Sequence, residues 1–442
     1  MDKISIIGGN PLKGSLKISG AKNAALPLLA AGLLTKDPVI LTNLPELSDI
    51  TTFLDLMAHM GCDCIREPGQ VTLRTPDVLD LEAPYELVRK MRASVLVLGP
   101  VLSRFKEVRL SLPGGCAIGT RPVDLHLKGL EKMGAEIILS EGYVTAKAPK
   151  GLKGCDYTFP IVSVTGTENL LMAACLAHGT TRLLNAAQEP EVTDLAHCLV
   201  GMGAKISGIG TSTLVIEGQA ELGGTTHSIL PDRIETGTYA IAAAITGGSI
   251  TLENTSLKLL PLVTQTLCQV GLGLEQKGDN VEVNSPAHGL KPQDIITEPF
   301  PGFPTDLQAQ FMALMTTING ASSITETIFE NRFMHVPELA RMGADIAVKG
   351  NTALVRGVSS LKGAPVMATD LRASVSLVLA GLAAEGETLV SRVYHLDRGY
   401  EKIEEKLSAC GAHIKRIRKD PVIDEPSINT TSSLKIASSG HA

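Results

Sequence analysis

One phrase recurs six times along the chain: an apolar helix end, a glycine, a small or apolar residue, one variable position and an apolar residue opening a strand. The copies are LMAHMGCDC, LEKMGAEI, LVGMGAKI, LCQVGLGLE, LARMGADI and LSACGAHI, with their glycines at Gly61, Gly134, Gly203, Gly271, Gly343 and Gly411. Successive separations are 73, 69, 68, 72 and 68 residues, so one supersecondary unit is repeated six times. Glycine suits the position just past a helix, where φ is positive and a Cβ is penalised.

A second signature precedes each glycine by about half a unit: an Ala/Leu-rich helix, a turn and a β-branched strand. Its copies run from AALPLLAAGLLTKDPVILTNL to SVSLVLAGLAAEGETLVSRV. These helices are apolar on nearly every side, which predicts burial on all faces. The second helix of each unit, as in VDLHLKGLEKMG, mixes charge with apolar residues and belongs nearer solvent. Each unit therefore reads strand, buried helix, strand, amphipathic helix, strand. Such a unit cannot bury its own helix, so several must share a core. The fold class expected is α/β, from βαβαβ-type units around buried helices. No GxGxxG closes a strand and opens a helix, which argues against a dinucleotide site.

The 442 residues are enough for two or three domains. A net charge of −6, no Trp, 6 Tyr and 8 Phe disfavour a nucleic-acid reader, which needs a basic balance and stacking platforms. The longest apolar stretches fall short of the ~18 residues a membrane helix needs, and MDKISIIGGN carries no export signal, so a cytoplasmic protein without membrane contact is expected. The eight cysteines form no CxxC pair, which predicts free thiols without structural disulfides or zinc. The repeat stops near Asp420, and residues 420–442, with three acidic residues, two prolines and many Ser/Thr, read as a flexible tail.

Equivalent positions in equivalent repeats should face the same way. Lys22, Arg92, Arg233, Asp306 and Arg372 stand at corresponding N-terminal ends of the buried helices, and Met91-Arg92-Ala93-Ser94-Val95 nearly duplicates Leu371-Arg372-Ala373-Ser374-Val375. Helix capping accounts for Asp306 after Thr305 and for Ser163 and Thr165. It accounts badly for the basic residues, because the helix macrodipole opposes a cation there; these are better companions of a bound anion. In LPGGCAIGTRP, three glycines and a proline carry Cys116 outside any regular element, with Arg121 near enough to lower the thiol's pKa and Pro122 leading into a helix. Two loop segments after strands hold Arg332 (ETIFENR) and Arg398 (RVYHLDRG). His126, in PVDLHL, could orient a phosphate, but a lone helical His is more often packed.

With SGAKNAALP, LPGGCAIGTRPVDLH, NAAQEPEVTDL, PDRIETGTY, PGFPTDLQAQ, TETIFENRF, DLRASVSLVLAG and HLDRGYE in view, the chain resembles the UDP-N-acetylglucosamine 1-carboxyvinyltransferase family of enolpyruvyl transferases, in register over about residues 1–419. The resemblance implies two similar domains of three repeats each, an inside-out α/β barrel of the EPSP synthase type: residues 22–230 in one, residues 1–21 with 231–419 in the other. It implies transfer of the enolpyruvyl group of phosphoenolpyruvate to the sugar 3′-hydroxyl, with Cys116 as acid and Asp306 as base. It places Lys22, Arg121 and Arg398 on the phosphate and Arg332 and Arg372 near the carboxylate, with Asn23 alongside. For UDP-N-acetylglucosamine it marks Arg92, Arg121, Pro122, Val123, Asp124, Leu125, Ser163, Val164, Thr165, Asp306 and Ile328. It also implies a Cys116 thiol open to fosfomycin, and neither metal nor organic cofactor.

Two positions depart from the family pattern. Ile161 stands where some members carry a lysine beside the diphosphate, and Ser48 where some are basic, which shifts nucleotide contacts toward backbone amides and Arg121. Transfer to shikimate 3-phosphate is disfavoured by Cys116 and the PVDLH segment, and a non-catalytic UDP-sugar-binding regulator by the intact set Cys116, Asp306, Lys22 and Arg398. The sequence leaves the oligomeric state open.

Overall fold

The computed structural model describes residues 2–112, 123–286 and 289–418. Among these, six four-stranded sheets form, one for each repeat. In a representative unit, Asp156–Thr158 runs parallel to Thr180–Leu184, which pairs antiparallel with Thr213–Glu217, which in turn pairs antiparallel with Lys205–Ser207. The unit thus adds a strand to the βαβαβ expectation, because the strand after each amphipathic helix turns back on itself as a hairpin. In one copy the turn is Glu141-Gly142, with φ +54° and +79°, between Glu136–Ser140 and Tyr143–Lys147. Two successive positive φ values match the twist of a two-residue hairpin.

The six repeat glycines all have φ between +90° and +117°. Each closes its helix with the same pair of bonds: Gly61 N–H donates to the Ala58 carbonyl and Cys62 N–H to that of Met57, and Gly411 and Ala412 do the same to Ser408 and Leu407. This is the Schellman closure that a residue without Cβ permits.

The helices preceding these closures are the amphipathic ones, such as Ser48–His59 and Asp124–Lys132. The Ala/Leu-rich helices lie inside. Lys22–Ala31, Val164–Ala174, Arg233–Thr246, Gln308–Met315 and Leu371–Ala383 bury nearly all their residues, as does Leu98–Phe105, which continues the 3₁₀ turn Arg92–Val97. Three of them pack together in one hydrophobic core spanning residues 21–229, and three in a second built from residues 4–18 and 234–414.

The N-terminus belongs to the second core. Lys3–Ile7 pairs antiparallel with both Glu387–Ser391 and His413–Ile417, supplying the strand that the last unit lacks, and Lys13–Lys17 runs parallel to Ser249–Glu253. The chain then passes to the first core and returns. The two passages pair with each other: Ala21 N–H donates to Leu230 O at 2.8 Å, Asp232 N–H to Ser19 O at 2.8 Å, and Gly20 bridges Pro231. Gly20 is required here, since a Cβ would sit 1.9 Å from the Asn43 carbonyl oxygen. Among the described residues no helix is long and apolar enough to cross a membrane.

Candidate active site

Stacking buried helices in two cores sets their first turns against one another, and polar residues collect there. Lys22 is the first residue of its helix, Arg92 opens its 3₁₀ turn, Arg233 is first in its helix, Arg372 second in its own, and Asp306 sits in the turn Thr305–Leu307 before Gln308–Met315. Two of these, Asp306 and Arg372, pair directly, and Asn23 reaches Asp306 from the other core. Asp306 Oδ1 lies 2.7 Å from Arg332 and Oδ2 2.9 Å from Arg372, while Asn23 Nδ2 reaches Oδ2 at 3.4 Å. Both arginine side chains are only 6% exposed. Burial pushes the Asp306 carboxyl up, but Arg372 and Arg332 outweigh it and hold the group well below the usual carboxylate range.

Capping, which would also account for Asp306, is not its role. Pro304 precedes the turn without a side-chain cap bond, and both carboxylate oxygens are engaged by guanidinium groups. Ser163 does cap its helix, accepting from Gly166 N–H at 3.2 Å, whereas Thr165 bonds to His126 instead.

Lys22 and Arg398 meet on a carboxylate that was not among the candidate residues. Asp49 Oδ2 is 3.2 Å from Lys22 Nζ and Oδ1 is 2.8 Å from Arg398 Nε. Asp49 lies in the first turn of Ser48–His59 and shares that helix's buried face with Phe53 and Leu56. A charged residue on an apolar stripe was the signal that could have found it. Burial would raise the Asp49 carboxyl, but Lys22 and Arg398 lower it further. The Lys22 ammonium is pulled below its ordinary value, by burial first, against Asp49, with the charges of Arg372 and Arg398 adding to the fall. Four cations expected at a phosphate and a carboxylate, Lys22, Arg398, Arg332 and Arg372, thus gather with Asp306, the expected base.

Hydrogen bonds hold this cluster in place. Arg332 also donates to Thr305 Oγ1 at 2.8 Å, and Thr305 donates to Glu326 at 2.8 Å. Glu326 Oε1 accepts the Ile328 backbone N–H at 2.9 Å, which fixes the Ile328 loop beside Asp306. Tyr400, wholly buried, takes bonds from Gln310 at 3.1 Å and Arg372 at 3.3 Å. Alongside, Arg233 Nε contacts both oxygens of Glu191, at 3.0 and 3.2 Å.

The remaining candidates line the first core. Val123 precedes the Asp124–Lys132 helix, Asp124 pairs with Lys128 at 3.2 Å, and the Leu125 carbonyl accepts from Tyr157 at 3.2 Å. Ser163, Val164 and Thr165 open the Val164–Ala174 helix, and Ile161 is 59% exposed before it. Arg92 is half-buried near His126, whose pKa it helps to lower. Cys116, Arg121 and Pro122 lie outside the described residues, as does the segment 420–442. The seven described cysteines are free thiols. Among the described residues no group of three or more His, Cys, Asp or Glu is placed to hold a metal ion.

Residues 6–407 match the family model of EPSP synthase (3-phosphoshikimate 1-carboxyvinyltransferase). A UDP-N-acetylglucosamine 1-carboxyvinyltransferase of Granulibacter bethesdensis is 61% identical, covering 94% of this chain and all of its own. One of Rhodospirillum centenum is 60% identical over 95% of this chain, again along its full length. Among solved structures, the enolpyruvyl transferase NikO from Streptomyces tendae superposes with a TM-score of 0.84 at 25% identity, covering 94% of this chain and 98% of that one. With the six-unit fold, the paired helix ends and these likenesses together, the chain belongs to the EPSP synthase family of enolpyruvyl transferases.

Proposed function

We propose that the chain transfers the enolpyruvyl group of phosphoenolpyruvate to the 3′-hydroxyl of UDP-N-acetylglucosamine and releases phosphate, the entry step of peptidoglycan precursor synthesis. Relatives about 60% identical along their full length bear that activity's name, which favours the sugar nucleotide over shikimate 3-phosphate as acceptor. The observation that carries the reading at the site is the convergence of Lys22, Arg398, Arg332 and Arg372 on Asp49 and Asp306. A substrate with a phosphate and a carboxylate on adjacent atoms calls for two such groups of cations side by side.

The reaction is an addition followed by an elimination. The sugar oxygen bonds to C2 of phosphoenolpyruvate while its proton leaves to a base and a proton adds to C3. Loss of a C3 proton and of phosphate then restores the double bond. In this reading Asp306 takes the hydroxyl proton and Cys116 supplies the C3 proton. Lys22, Arg121 and Arg398 hold the phosphate, with Asn23 beside them, and Arg332 and Arg372 hold the carboxylate. Arg92, Arg121 to Leu125, Ser163 to Thr165, Asp306 and Ile328 hold the sugar nucleotide. A base paired with two arginines is a weak one, so transfer of Arg332 and Arg372 onto the substrate carboxylate raises the proton affinity of Asp306 as the substrate seats. We also propose that residues 22–230 form one domain and residues 1–21 with 231–419 the other; the two separate cores and the paired crossing at Gly20 and Pro231 support the division.

The experiment is phosphate release with each acceptor. Turnover with UDP-N-acetylglucosamine and none with shikimate 3-phosphate is expected, and the reverse would overturn the assignment. Cys116→Asp should retain turnover while abolishing alkylation by fosfomycin, because a carboxylic acid still donates a proton but is a poor nucleophile toward the epoxide.

A further inference from the structure

His126 lies on the Asp124–Lys132 helix, 3% exposed, with its ring against the neighbouring Val164–Ala174 helix. Asn169 Nδ2 stands 2.9 Å from His126 Nδ1, and Thr165 Oγ1 stands 3.3 Å from His126 Nε2. The direction of both bonds follows from Asn169, which is wholly buried. Its Oδ1 accepts the Gly99 backbone N–H at 2.6 Å, and its Nδ2 donates to the Val95 carbonyl at 2.8 Å. A backbone N–H only donates and a carbonyl only accepts, so the amide has one orientation. Its second Nδ2 hydrogen therefore points at His126 Nδ1, which must present a lone pair.

A neutral imidazole that accepts at Nδ1 carries its proton at Nε2, and that N–H donates to Thr165 Oγ1. Burial keeps the ring neutral by lowering its pKa to about 4, with Arg92 adding to the fall and Asp124 opposing it. Because the Thr165 oxygen accepts from the ring, the hydroxyl's own hydrogen is left for another acceptor. Thr165 is exposed, in the first turn of a helix whose N-cap is Ser163. Ile161 beside it is apolar, and the Ser163 oxygen already accepts from Gly166 N–H. Thr165 and Ser163 thus each keep a hydroxyl hydrogen to donate, and Thr165 is the one whose oxygen is held by the imidazole.

The geometry points to Asn169 and His126 as positioning residues for the sugar nucleotide: a one-way chain of hydrogen bonds from Asn169 through His126 fixes the Thr165 hydroxyl as a donor to a diphosphate oxygen. The same chain ties the segment 123–125 to the segment 163–165, so that both parts of the nucleotide wall move as one. This rests on the reading of residues 163–165 as part of that wall.

Two measurements test it. In protein labelled with ¹⁵N-histidine, the His126 signals, identified by their loss in His126→Gln, should show the Nε2–H tautomer at neutral pH. An Nδ1–H or doubly protonated ring would overturn the chain. In steady-state kinetics Thr165→Val should raise KM for UDP-N-acetylglucosamine about tenfold, as loss of a hydrogen bond to a charged group requires, with KM for phosphoenolpyruvate unchanged. His126→Gln puts an amide N–H where Nε2–H stood and should keep KM within about twofold. His126→Asn reaches only the Nδ1 position and should match Thr165→Val. Equal effects of the Gln and Asn variants in folded protein would overturn the positioning role while leaving the wall in place. If Thr165→Val and Ser163→Ala both leave KM for the sugar nucleotide unchanged, the wall itself is misassigned and the proposal falls with it.

Discussion

Replacing Asp306 by Asn tests the centre of the site through stability as well as turnover. The carboxylate is the partner of two guanidinium groups at 2.7 and 2.9 Å, each 6% exposed, and is itself 24% exposed. Removing one partner of a buried ion pair costs about 3–5 kcal/mol, because the remaining charge stays desolvated. Asn retains one carbonyl acceptor and some solvent reaches the position, so the lower end, about 3 kcal/mol, is expected. At roughly 2–4 °C per kcal/mol for a unit of about 200 residues, the melting temperature should fall by about 6–12 °C. The sign of the pH dependence follows from the depressed carboxyl. Its contribution is fully present above its unfolded pKa of ~3.9 and is lost only as pH falls toward the folded value, so the difference between the two proteins should stay flat from neutral to mildly alkaline pH. Differential scanning calorimetry at several pH values measures this, and phosphate release should drop at least ~100-fold in the same variant with loss of the base. A folded Asn variant that melts within about 1 °C of the parent would refute the reasoning, since the two arginines would then have to be solvated.

Arg233→Met leaves Glu191 buried and unpaired beside Glu168 and Glu189 and should lower stability by about 3–5 kcal/mol in urea unfolding; adding Glu191→Leu should recover most of it. Glu168 is wholly buried, and burial, then the charges of Glu191 and Glu189, raise its carboxyl well above the ordinary range. Its stabilising contribution is complete below the unfolded pKa and lost as pH rises through the folded value, so Glu168→Gln should gain on the parent in thermal melts at pH 8 relative to pH 5. Gly134→Ala meets nothing within 4 Å of a Cβ, so it should cost only the left-handed backbone strain, about 1–2 kcal/mol, with turnover unchanged. A larger loss there would show a packing role that the geometry denies.

Much of this architecture was legible because its causes are local. A helix end closed by glycine needs only a few neighbouring residues, so six spaced glycines announced six units, and each has the positive φ that the closure demands. An Ala/Leu-rich helix without a polar face must be buried wherever the chain goes, so the polar residues at its first turn were marked out as a group. Lys22, Asp306 and Arg372 were found in this way. The hairpin strands were not, since a short strand and a two-residue turn look like one loop until a partner strand fixes their register. Nor could the spacing reveal that Lys3–Ile7 completes the last unit. The electrostatics of the site belong wholly to tertiary structure. Asp49 and Arg398 are 349 residues apart, and Asp306 and Arg372 are 66 apart. Asp306 reads as a helix cap in the sequence because capping is decided by three or four residues; it is an ion-pair partner in the fold because packing of the repeats within the second core brings Arg332 and Arg372 to it. The sequence by itself determined the repeats, their buried helices and the residues carried at the helix ends. Which charge faces which was decided only by the packing, because Coulomb energy depends on distance through space and leaves no period along the chain.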